Sequence, residues 1–157
     1  MTTPAYRLDD RVRRGAWWLT FVALIPLLAQ ALLVVFAAPP VTFIALASQV
    51  LLGTLMLAFV GALHLGLLLV AGAAFSRMQI VVRLVWCALP AAYGFVVAQL
   101  TYPRPLLWLA GALLVTLLVD WRLYGGAAPV RTTGILPMRL VFTVVAVTCL
   151  VVTWAWA

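Results

Sequence analysis

From residue 16 to the end of the chain, five apolar runs follow one another, separated by short breaks that hold most of the prolines, and nearly half of the charges fall in the tail before them. A helix needs about 20 mostly apolar residues to cross about 30 Å of hydrocarbon. Inside lipid the backbone has no water to bond, so a spanning segment of this length closes its own hydrogen bonds as a helix. Composition agrees: 68% of residues are hydrophobic and 8% charged, against about 45–50% and about 25% in a soluble domain. The mean hydropathy is +1.23. A soluble enzyme, a nucleic-acid-binding domain and a secreted disulfide scaffold do not fit. Cys87 and Cys149 both fall within apolar runs and lack CxxC or His/Cys spacing, so neither a zinc site nor a disulfide framework is indicated.

The predicted spans are residues 16–37, 48–75, 80–100, 106–124 and 138–157, preceded by a basic cytoplasmic tail over 1–15. Pro39-Pro40 closes the first, and Tyr102-Pro103-Arg104-Pro105 separates the third from the fourth. Residues 41–75 are apolar without a break. As one helix they would be about 52 Å long, too long for one upright crossing and too short for two. The span is therefore placed at 48–75, with the residues before it at the interface. The expected fold is all-α, a polytopic bundle of five transmembrane helices. A basic start and Val35-Phe36-Ala37 give the first helix some likeness to a signal peptide. Its apolar stretch exceeds the usual signal length of about 7–15 residues, so it reads as a retained helix.

All ten basic residues are arginines. With five spans and a cytoplasmic N-terminus, Arg7, Arg11, Arg13, Arg14, Arg77, Arg83, Arg122, Arg131 and Arg139 fall inside, and Arg104 alone falls outside. That distribution follows the positive-inside rule and puts the C-terminus outside. In a soluble chain a net charge of +7 would suggest nucleic acid. Here it sets topology, in a bacterial cytoplasmic (inner) membrane.

The second span carries a ladder of small residues at a spacing of four, Thr54, Ala58, Ala62 and Gly66, with Gly53 and Gly61 beside it. Such ladders let helices approach closely in lipid. They suit either the central packing helix of the bundle or an interface with a partner or a second copy. His64, the only histidine, is expected near mid-span. It is read either as a neutral imidazole bonded to a carbonyl or hydroxyl, or as a proton carrier, an axial haem ligand or a donor to a quinone. Asp120 is the only acid beyond the tail. A lone buried carboxylate is costly, so a partner is expected among Arg139, Arg83 and Arg122. Arg139 is preferred because a short loop joins its helix to that of Asp120. The alternative is a polar pocket in which the arginines clamp an anionic lipid or small ligand. Gln30, Gln49 and Gln99 are expected to bond between helices. No phosphate loop, HExxH, GxSxG or buried carboxylate pair is present in the sequence, so no enzyme activity and no cofactor is expected.

Several short motifs occur in order: Leu24-Ile25-Pro26-Leu27, then Phe59-Val60-Gly61-Ala62-Leu63-His64-Leu65-Gly66, then Pro90, Asp120 and Pro137-Met138-Arg139-Leu140. Over residues 16–152 the chain resembles the transmembrane protein 69-like family, small five-helix membrane proteins classed as a domain of unknown function. Phe59, Gly61, His64 and Gly66 match that family's second-helix pattern, while Leu65 stands where the family has tryptophan. The resemblance implies a fold and a membrane location but no reaction. The tryptophan-rich sensory proteins also have five helices, but their first loop carries a Trp-Trp signature that Ala38-Pro39-Pro40 lacks.

These readings lead to a non-catalytic accessory or assembly subunit that packs against a larger membrane complex or against itself. The rival is a small binder or carrier of a lipid, quinone or proton that uses His64 and the Asp120/Arg139 cluster. The bilayer is the expected partner, with no nucleic acid.

Overall fold

A computed structural model describes residues 10–72, 75–125 and 135–157. Among them the secondary structure is entirely helical: α1 (Asp10–Phe36), α2 (Val41–Ala71), α3 (Arg77–Val97), α4 (Arg104–Gly125) and α5 (Ile135–Trp156). All 5 are long and apolar enough to cross a membrane. Arg7, Asp9 and Arg131, and the side chains of Arg11, Arg13 and Tyr124, lie outside what is described.

The helix ends depart from the sequence expectation where the breakers are weaker or stronger than they look. The first helix extends back to Asp10, six residues into the expected tail, because nothing in Asp10-Arg11-Val12-Arg13-Arg14-Gly15 forbids helix. The second begins at Val41 rather than 48, directly after Pro40. No breaker follows Pro40, so residues 41–47 continue the helix instead of lying flat. Its 31 residues give about 46 Å of helix, accommodated by tilt or by projection beyond the hydrocarbon. The third begins at Arg77 rather than 80. Ser76 Oγ accepts from the Gln79 backbone N–H at 3.3 Å, and Gln79 Oε1 accepts from the Ser76 N–H at 2.9 Å. This reciprocal pair is a capping box. The last begins at Ile135, with Pro137 in its first turn, where an N–H would have no helical partner.

Contacts fix the directions. Thr54 faces Gly94, Gly61 faces Cys87 and His64 faces Arg83, so α2 and α3 run antiparallel. A Cβ on Gly53 would meet Leu109 and Leu150, and His64 meets Asp120. Consequently α2 runs parallel to α4. Arg139 against Asp120 at one level and Leu150 near Leu109 at another make α5 antiparallel to α4. The core lies where these helices meet, with Leu27, Leu57, Leu106, Leu109, Leu113 and Leu150 fully buried. The central span is α2, with 44% of its apolar window buried against 22% for α1 and for α3. Arg14, Arg77, Arg83, Arg122 and Arg139 all lie toward the end at which α1 begins, and Arg104 lies at the other.

Candidate functional site

Four helices each send one polar side chain to a single level near the end where α1 begins. His64 comes from the last third of α2, Arg83 from the second turn of α3, Asp120 from near the end of α4 and Arg139 from the start of α5. His64 was expected at mid-span. Because α2 starts at Val41, its midpoint is Met56, and His64 lies about 12 Å beyond it. That shift brings the ring level with Asp120. None of the four is more than 4% exposed.

Asp120 is the hub. Its Oδ2 accepts from Arg139 Nε at 2.9 Å, with Nη2 of the same guanidinium at 2.8 Å. Its Oδ1 lies 2.8 Å from His64 Nε2. The other ring nitrogen, Nδ1, is 3.4 Å from Arg83 Nη1. A guanidinium can only donate, so Nδ1 accepts. The ring hydrogen therefore sits on Nε2 and is donated to Asp120. Arg139 Nη2 donates to Thr116 Oγ1 at 3.4 Å, and that hydroxyl donates to the Leu113 carbonyl at 2.9 Å. Arg83 Nη2 donates to the Leu123 carbonyl at 2.9 Å, and its guanidinium lies 4.5 Å over the Phe75 ring. Charge-assisted bonds of this kind are about twice as strong as neutral ones. Lipid and packed protein offer no competing water, so each group depends on the others.

Both ring nitrogens of His64 are engaged, one by a carboxylate and one by a guanidinium. A histidine that activates a hydroxyl or thiol needs one nitrogen facing that nucleophile. His64 has no such nitrogen, and its ring has no exposed surface.

The preference for Arg139 as partner of Asp120 matches the geometry. Arg83 joins through His64, and Arg122 is exposed on the far side of α4. A carbonyl or hydroxyl was the expected structural partner for His64, and the partner is instead Asp120. Phe75 and the Leu123 carbonyl were not foreseen. Thr116, one turn before Asp120 on the same face, carried a readable signal.

The small-residue ladder divides. Thr54 Oγ1 donates to Val50 O at 3.0 Å and toward Gly94 O at 3.4 Å. A Cβ on Gly61 would overlap the Cys87 carbonyl oxygen. Gly53 packs beneath Leu109 and Leu150. These positions serve the bundle itself, with Ala58 half-buried beside them, whereas Ala62 and Gly66 are exposed. The expected interhelical role of the glutamines is not seen at two of them: Gln99 bonds Phe95 O of its own turn at 3.5 Å, and Gln49 is buried without a hydrogen-bond partner. At Gln99 the cause is position: it lies exposed in the turn just past the end of α3.

One pocket of about 310 Å³ opens between α3 and α4. Its lining is apolar and aromatic, including Trp86, Tyr93 and Trp108, and it reaches down to Thr116.

No curated protein and no solved structure matches the chain. A family described as a protein of unknown function, DUF3429, matches residues 12–155, and the chain belongs to that family.

Proposed function

We propose that this chain is a non-catalytic protein of the bacterial cytoplasmic membrane, an accessory or assembly subunit that packs against a larger membrane complex or a second copy. The cluster end, which gathers the arginines, is placed in the cytoplasm, and the end carrying Arg104 outside. Kinship with the transmembrane protein 69-like proteins is part of this reading and rests on Phe59, Gly61, His64 and Gly66.

The observation that carries it is the exposed part of α2. Ala62 and Gly66 lie at the surface, and a Cβ on Gly66 would meet nothing within 4 Å. A partner helix can come close there without displacing a side chain. The closure of the His64–Asp120–Arg139 cluster supports the non-catalytic half. Its valences tie helices together, and the carrier reading would need an opening at a ring that has no exposed surface.

The test is native electrophoresis of membranes solubilised in mild detergent, comparing the wild type with Ala62→Ile/Gly66→Ile. The expected outcome is a wild-type band well above the monomer mass that collapses toward the monomer in the double variant. A wild-type protein that migrates as a monomer with lipid and detergent would defeat the proposal. A cysteine-accessibility assay at Thr101 and Gly15 tests the orientation: a membrane-impermeant thiol reagent added to intact cells should label the first and spare the second.

A further inference from the structure

We infer that the crevice between α3 and α4 is a binding site for one phospholipid of the leaflet at the Arg104 end, its acyl chain lying in the crevice and its phosphate on Arg104. Trp86, Leu89, Pro90 and Tyr93 form one wall, at the spacing that shares a face of α3. Trp108, Gly111 and Val115 form the other, on one face of α4. The rim opens sideways, because Leu89 is 49% exposed, Val115 53% and Trp108 56%. In a membrane-spanning bundle a sideways opening meets lipid rather than water, and an apolar lining selects hydrocarbon.

The length and the charge choose the occupant. The crevice follows α4 from Trp108 to Thr116, about 12 Å of helix, running from near one membrane surface toward the middle. That is the path of an acyl chain. Arg104 stands one turn above Trp108, on the same face of α4, and is exposed. It is therefore level with the phosphates when the chain lies below it, and a guanidinium suits a phosphate bidentately. Gly111 faces the open channel, since a Cβ there would meet nothing within 4 Å. Pro90 contributes to the opposite wall without a backbone N–H of its own. The crevice meets the cluster only at Thr116, which accepts from Arg139, and His64 and Asp120 are not in its lining; the inference does not depend on the subunit role proposed above.

The experiment is native mass spectrometry of the delipidated full chain in a phosphate-free detergent, titrated with dipalmitoyl phosphatidylglycerol. The wild type is expected to bind one lipid saturably before further adducts appear. Gly111→Leu and Val115→Trp each fill the channel and should weaken that first binding at least about tenfold, while Arg104→Gln should weaken it about fivefold. Ala88→Leu, exposed on α3 and with no crevice-lining residue one turn before or after it, should leave it unchanged. Two channel variants are used so that misfolding of one does not remove the test, and circular dichroism identifies a misfolded one. Adducts that accumulate without a first saturable step would overturn the inference. So would wild-type affinity in a folded channel variant or in Arg104→Gln, or a protein dimer that Gly111→Leu dissolves.

Discussion

The end and the middle of α2 are held to the bundle by different physics. Toward its end, His64 is tied through Asp120 to Arg139 and against Arg83, so α2, α3, α4 and α5 meet through hydrogen bonds and charge. Nearer its middle, Thr54 and Gly61 lie against the backbone of α3, and Gly53 beneath Leu109 and Leu150, with hardly a charge involved. In lipid both devices work because neither relies on the hydrophobic effect. They fail differently. Removing one partner from the buried cluster strands the others, whereas adding a methyl at the close contact forces two backbones apart.

That contrast orders the expected effects. Asp120→Ala leaves the Arg139 guanidinium buried and unpaired and should cost about 3–5 kcal/mol of stability, a larger loss than a change at Gly61 or Gly66. A thermal melt in dodecyl maltoside, followed by circular dichroism, reads it directly, and a loss below about 1 kcal/mol would mean the cluster is wet or open. Gly61→Ala places its Cβ on the Cys87 carbonyl oxygen, and the overpacking should cost about 1–3 kcal/mol in the same melt. A neutral result would show that α2 and α3 stand further apart than described. Gly66→Ala should have the smallest effect and the opposite sign. Its Cβ meets nothing, so the gain in helix propensity should stabilise the purified chain by about 0.5–1 kcal/mol. If Gly66→Ala destabilises the purified chain as Gly61→Ala does, the division between the inner and outer parts of the ladder is wrong.

The sequence announces the spans because apolar runs of this length have one structural solution in lipid. Helix ends were less legible. The Ser76-to-Gln79 capping box could have been read, since a serine followed three residues later by glutamine is its signature. The start of α2 was missed because its length, not any breaker, argued for trimming it. At the cluster, Asp120 with Arg139 was readable from a short connection between neighbouring helices. His64 with Asp120 was not: 56 residues separate them, and alternating spans make α2 and α4 parallel without saying that they pack side by side. The crevice was illegible for the same reason, because Gly111 marks open space only once α3 stands opposite it.

The most direct test of the buried cluster is a double-mutant cycle on Asp120→Asn and Arg139→Gln, with unfolding free energies measured in detergent. Coupled charges predict that the double variant is less destabilised than the sum of the two singles, by about 1–3 kcal/mol. Simple additivity, with no coupling beyond about 0.3–0.5 kcal/mol, would contradict a cluster built around Asp120.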